Sequence, residues 1–203
     1  MLRPMPDEII ILTGDAEAPF LTRVLEEQNA QLRLTHVRDE AALMALAGRP
    51  DDLGGSRLIA YCTSVIVPAD ILNQLPGPAY NFHPGPPSYP GVYPANFAIY
   101  DGAAKFGITV HEMAENVDAG AIVATEWFDV PDDFTSPKLE EKAYILLYQV
   151  FCQLAPQLAD LSQVLAPIDE TWADNKSTMK DFEALSTAAA SDEDRERHER
   201  AFG

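Results

Sequence analysis

Cysteine is scarce in this chain of 203 residues: Cys62 and Cys152 are the two present, and they lie far apart. There is no Cys-x-x-Cys pair and no Cys/His cluster of zinc-finger spacing, so neither a disulfide scaffold nor a structural zinc site is indicated. Two buried, reduced thiols are expected instead. Positive charge is also scarce. Lys and Arg number 14 against 32 Asp and Glu, a formal net charge of −18. Such a surface repels phosphate backbones over a Debye length of roughly 8–10 Å. Nucleic acid is therefore disfavoured as a partner, although a local basic patch still suits a small anion. No apolar run reaches the ~18–20 residues that a bilayer span needs, so no membrane partner is expected. Residues Met1 to Glu8 lack the basic-then-apolar plan of a signal peptide, and the expected location is the cytoplasm. No internal repeat is visible.

What the sequence does contain is an ordinary globular balance, 47% hydrophobic and 23% charged, with enough length for one domain and a small appendage. The appendage is expected at 169–203, where the composition turns polar and Ser191 to Arg200 is almost wholly charged, a solvated helix or frayed tail. The main domain is expected over 1–168, and across its first ~80 residues strands alternate with helices. Glu8–Thr13, Gln31–Val37, Arg57–Tyr61 and Ala79–His83 read as strands. Glu17–Gln28 has helical spacing of Phe20, Leu21, Val24 and Leu25, and Asp39 caps a helix over Glu40–Ala47 that stops at Gly48. This alternation predicts right-handed βαβ units, an α/β Rossmann-like fold with a mostly parallel sheet. Pro84–Gly91 is a constrained loop and Pro94–Tyr100 a short helix. Phe106–Glu112 and Ala121–Val130 read as two more strands. Leu139 to Leu165 is a C-terminal helical region, with a kink or a break expected at Pro156.

Three polar residues stand out. Asn81 and His83 are two apart on a short strand, so both point to one face, just where ligands of parallel sheets collect. Asp118 lies in Glu115-Asn-Val-Asp118-Ala-Gly120, between two strands. Singly, each has a structural explanation. Together they supply an amide donor, a titratable imidazole and a carboxylate, a set suited to acyl transfer.

The run Asn81-Phe-His83-Pro-Gly-Pro-Pro-Ser-Tyr-Pro-Gly91, then Gly107-Ile-Thr-Val-His111, then Val117-Asp118-Ala-Gly120, resembles the core of the formyltransferase family, from about Arg57 to about Val130. That family includes glycinamide ribonucleotide, methionyl-tRNA and amino-sugar N-formyltransferases. The resemblance implies the formyltransferase fold, an enzyme whose co-substrate is 10-formyltetrahydrofolate, and a small-molecule amine as acceptor. It implies Asn81, His83 and Asp118 as catalytic residues: Asn81 and a protonated His83 donate to the developing oxyanion, and Asp118 holds His83 in its charged form. No metal is required by such a scheme. The segment Ser64-Val65-Ile66-Val67-Pro68 matches the family's pterin-binding stretch, with Met113 and Val117 on the loop closing the other side. A plain core strand over Val65–Val67 remains the alternative.

The chain departs from the family after His83-Pro84, where Gly85-Pro-Pro-Ser replaces the usual sequence and a cis bond before Pro87 is admissible. Thr13-Gly-Asp-Ala-Glu-Ala18 carries two acids where a phosphate would sit at a helix N-terminus, which weighs against glycinamide ribonucleotide. An amino-sugar nucleotide is therefore the first choice of acceptor. A 10-formyltetrahydrofolate hydrolase and a catalytically idle folate- or partner-binding protein stay open. Tyr89, Tyr93 and Trp172 are candidates for stacking on the acceptor, or else cover core surface. His111 is structural or lines the site. The apolar helix packs on the sheet or on a second subunit of a homodimer.

Overall fold

The computed structural model describes residues 7–48, 53–188 and 194–203. Six strands form one sheet in the order β2-β1-β3-β4-β5-β6. β1 (Glu8–Leu12), β2 (Arg33–Val37), β3 (Ser56–Tyr61) and β4 (Tyr80–His83) are mutually parallel; β5 (Lys105–Glu112) and β6 (Ile122–Asp129) are added antiparallel. β1 is buried along its whole length, with Ile9 and Ile11 in one core and Ile10 and Leu12 in the other. A strand covered on both faces reads as a continuous apolar run, which is why Glu8-Ile-Ile-Ile-Leu shows no alternation.

One core lies under α1 (Ala18–Gln28) and α5 (Ser136–Leu158), where Leu21, Leu25, Leu147 and Phe151 meet Tyr61 and Phe82. The other lies under α2 (Glu40–Ala47) and the single turn α3 (Ala69–Leu72), with Leu43, Leu58 and Ile71. α2 begins where its cap predicts: an Asp39 carboxylate oxygen accepts from the Ala42 N–H at 2.8 Å. α3 is too short to carry a periodic signal. No described helix is long and apolar enough to cross a membrane.

Three expectations are corrected. α5 does not run on to Leu165. Pro156 sits in its last turn, and the Arg57 guanidinium then takes the Leu158 and Gln157 carbonyls at 2.7 and 3.2 Å, satisfying helix-end acceptors that further turns would otherwise use. Leu165 still packs, fully covered, with its N–H donating to the Tyr80 hydroxyl at 2.9 Å. No cis peptide occurs among the described residues, so Pro87 follows a trans bond. Both cysteines are free but half-buried rather than buried.

The segment after 169 contains α6 (Met179–Ser186) and α7 (Arg195–Phe202). Residues 191–193 of the charged run lie outside the described residues. The rest is not a frayed tail: α7 packs on α4 (Pro94–Asp101), with Ala201 wholly buried and its carbonyl accepting from Asn96 at 2.6 Å and Ser136 at 2.9 Å. Ala201 and Phe202, with His198 packed against Tyr100, dock a helix whose other positions are Arg and Glu.

Candidate active site

β4 ends at His83, and the period of two turns Asn81 and His83 to the same face. Because β5 runs antiparallel to β4, residue pairs face each other directly: Asn81 opposes His111 and His83 opposes Thr109. A register shift between Val110 and His111 re-aims the latter side chain. Thr109, fully buried, donates to the Gly85 carbonyl at 2.7 Å and pins the start of the proline-rich loop.

Asp118 reaches this face from the loop between β5 and β6. Its backbone is left-handed, with φ of 46°, a conformation disfavoured for a residue with a Cβ. The loop must turn tightly: a Cβ on Gly120 would lie 1.9 Å from the Glu112 carbonyl oxygen. Asp118 is 5% exposed, and its Oδ2 accepts from the Gly91 N–H at 2.8 Å. Gly91 itself needs its φ of 101°, where side chains are strained.

The other partner of the Asp118 carboxylate is His111, whose Nε2 lies 3.4 Å from Oδ1. The same Nε2 lies 3.0 Å from the Asn81 amide, while Nδ1 bonds the Glu112 carbonyl at 2.8 Å. His111 therefore links the amide to the carboxylate. The Asn81 atom facing Nε2 is the amide nitrogen, which donates, so Nε2 accepts there, in keeping with Nδ1 donating to the Glu112 carbonyl.

His83 is buried, and its Nε2 has no hydrogen-bond partner. Burial pushes its imidazole below the ordinary 6.5; the Asp118 charge opposes this without overcoming it, and a main-chain bond with Tyr89 also opposes it. This corrects the sequence-derived picture of a carboxylate holding His83 charged. The carboxylate is shared with His111, and desolvation wins at His83. For Asp118 burial acts upward, yet the His111 hydrogen bond, the His83 charge and the Gly91 N–H together bring it down to about 2.

A cavity of about 400 Å³ opens over these groups, with Asn81, His83 and Asp118 in its lining. Val65, Ile66 and Val67 form one wall, and Met113 and Val117 another. Val65–Val67 is not a core strand. It is an extended segment after β3, with Ile66 64% exposed. Tyr89 and Tyr93 do not line this cavity. Tyr89 lies against Phe106, with ring centres 6.4 Å apart, and borders a second cleft of about 870 Å³. Tyr93 stacks on Phe182 at 4.0 Å.

Sequence reasoning underweighted His111, offered Trp172 only for stacking on an acceptor, whereas it lines neither cavity and packs on His111, and assigned no role to Lys176. The signal for His111 was the antiparallel pairing that sets it opposite Asn81. For the other two no local signal exists, because their positions depend on how the chain after β6 and α5 returns over the site. Among the described residues no cluster of metal-ligating side chains occurs.

The family model described as formyl transferase matches residues 17–153. A methionyl-tRNA formyltransferase of Nitratidesulfovibrio vulgaris (strain DP4) is 31% identical over 106 residues, 52% of this chain and 31% of the relative. The match thus spans about a third of that relative's length. Among solved structures, a sugar N-formyltransferase from a Shewanella species superposes with a TM-score of 0.77 at 18% identity, covering 96% of this chain and 87% of the other. An N-formyltransferase from Helicobacter canadensis, solved with folinic acid and dTDP-3-aminofucose, gives 0.73 at 13% identity over 98% and 81%. At such identities these structures show a shared fold.

Proposed function

Since the chain belongs to the formyl transferase family, we propose that it moves the formyl group of 10-formyltetrahydrofolate to the amine of a small acceptor, an amino-sugar nucleotide, in the cytoplasm. The observation that carries this is the unpartnered Nε2 of buried His83, at the floor of an apolar-walled cavity and beside an amide and a carboxylate. A buried polar atom without a partner calls for a ligand group. The cavity's apolar walls suit a flat pterin ring.

A neutral amine attacks the formyl carbon, and the formyl oxygen gains negative charge. Asn81 donates to that oxygen through the amide N–H that is not directed at His111. Removing such a donor costs roughly 3–4 kcal/mol of transition-state stabilisation. His83, driven neutral by burial and bonded through its other nitrogen to Tyr89, presents the Nε2 lone pair. It accepts the proton that the amine loses and returns it to the folate nitrogen as the carbon–nitrogen bond breaks. The ionised Asp118 stabilises the transient imidazolium. Amine and carrier thus exchange one formyl group and one proton, and the products are a formamide and tetrahydrofolate.

The second cleft supports the choice of acceptor. Tyr89, Phe97 and Trp127 offer aromatic surface for a base or sugar. The net charge of −18 speaks against tRNA. The crystal complex with dTDP-3-aminofucose named above is a complex of that kind. Exposed Phe20 and Ile145, on α1 and α5, favour a homodimer.

The test is a screen of amino-sugar nucleotides with 10-formyltetrahydrofolate, following tetrahydrofolate. Acceptor-dependent tetrahydrofolate and a formylated sugar are the expected result. Formate release without any acceptor would instead make the protein a hydrolase. Folate binding with no turnover would make it an idle binder.

A further inference from the structure

The chain from Glu170 to Thr178 crosses both loops that carry the candidate residues. Its main chain is tied to the loop after His83: the Ala173 N–H donates to the Pro87 carbonyl at 2.9 Å, the Ser177 N–H to Pro90 at 3.0 Å, and the Val92 N–H to Ser177 at 3.2 Å. Its side chains hold the other loop. The Trp172 indole N–H donates to the Gly120 carbonyl at 3.0 Å, and the Lys176 ammonium donates to the Val117 carbonyl. These two carbonyls bracket Asp118. The Trp172 ring also stands at right angles to His111, with centres 5.0 Å apart, and edge-on to His83 at 6.1 Å.

We propose that Trp172 is a positioning residue for the formyl transfer, holding the Asp118 loop in register with His83 and His111 from a segment outside the sheet. The role assigned to the reaction rests on the function proposed above. Asp118 occupies a left-handed backbone conformation, which is unfavourable for a non-glycine residue and persists only where the surroundings enforce it. Gly120, two residues on, is packed so tightly against the Glu112 carbonyl that no side chain fits. The indole N–H on the Gly120 carbonyl is the clamp that keeps this turn closed, and the indole ring is the wall on which both imidazoles rest. Losing them lets the carboxylate swing away from the imidazoles. Trp172 does not line the cavity walled by Val65–Val67, so its loss falls on turnover and leaves folate binding nearly unchanged.

The test compares Trp172→Leu and Trp172→Phe in the full chain. Leu removes ring and N–H; Phe keeps a ring. In Trp172→Leu, kcat should fall on the order of 10²-fold, the cost of a misplaced catalytic group. KM for 10-formyltetrahydrofolate should stay within about threefold, as expected when an interaction felt only in the transition state is lost. Trp172→Phe should recover part of the loss. Wild-type kcat in Trp172→Leu, alongside an inactive Asn81→Ala, would overturn the inference and leave the formyl transfer standing. If Trp172→Leu loses its cooperative unfolding transition, Trp172→Phe decides, and must still show reduced kcat. A second readout does not depend on turnover. The chain has four histidines, and imidazole NMR should show the His83 and His111 resonances displaced in either variant, with those of His36 and His198 unmoved. Unmoved His83 and His111 resonances would end the proposal whatever reaction the site performs. If the wild-type protein formylates nothing while those resonances move, the functional reading fails and the clamp remains.

Discussion

Two carboxylates are buried among the described residues, and they live differently. Glu8, 2% exposed, starts β1 and accepts from Arg33 at 2.7 Å, the Thr35 hydroxyl at 2.6 Å and the Ser56 hydroxyl at 2.8 Å. Asp118, 5% exposed, lies over the face of β4 and β5, on a strained turn, beside two imidazoles. Around Glu8 the two strands flanking β1 contribute partners and hold the carboxylate within the parallel sheet. Around Asp118 one ring nitrogen, that of His83, is left without a partner. A saturated network stabilises a fold; a network short of one partner is poised for a substrate.

The sharpest way to break this contrast is to exchange the consequences. Asp118→Asn, His83→Ala and Asn81→Ala should each lower kcat by on the order of 10³-fold or more, with the thermal midpoint shifted by only a few degrees. Glu8→Ala should do the reverse, lowering the urea midpoint while the folded fraction turns over at the wild-type rate. A Glu8→Ala enzyme with normal stability but reduced kcat would erase the distinction.

Next in size is Arg57, 6% exposed and bonded to the carbonyls that end α5. Burial also pushes its guanidinium below the ordinary value. Arg57→Met leaves those carbonyls without a partner and should cost about 2–4 kcal/mol. Denaturant unfolding with an unchanged slope is the measurement.

Acid should separate the two regions as well. His83 sits below 6.5 in the folded protein. As pH falls beneath 6.5 the unfolded chain therefore binds a proton that the folded chain refuses, and stability declines. Asp118 has a folded value of about 2 against an ordinary 3.8. Its contribution, roughly 2 kcal/mol, is complete above 3.8 and is lost as pH drops through 2. Chemical denaturation against pH should show both declines. His83→Gln should remove the first and Asp118→Asn the second.

The smallest expected effect lies farthest from the site. Asp39→Ala removes the cap of α2 and should cost about 1 kcal/mol with kcat unchanged.

Much of the sheet was readable because each strand carried its own signal. Ile9–Leu12 and Leu58–Tyr61 are short apolar runs, Tyr80–His83 alternates aromatic and polar residues, and Asp39 marks the start of its helix by a local hydrogen bond. Where the outcome depended on distant partners, local reading went astray. The helix over 139–165 was cut short by Arg57, roughly a hundred positions earlier in the chain. The polar run near the end was docked by Ala201 against Asn96 and Ser136, contacts that composition does not register.

The same division holds at the site. The sequence alone determined which side chains are available, and that Asn81 and His83 share a face, because the two-residue repeat of a strand is a local geometric fact. Only the tertiary structure decided the pairing of Asp118. Antiparallel addition of β5 places His111 opposite Asn81, the left-handed turn brings the carboxylate to that imidazole, and burial holds His83 neutral. Desolvation and cross-strand distance are properties of the assembled layers, and no stretch of sequence carries them by itself.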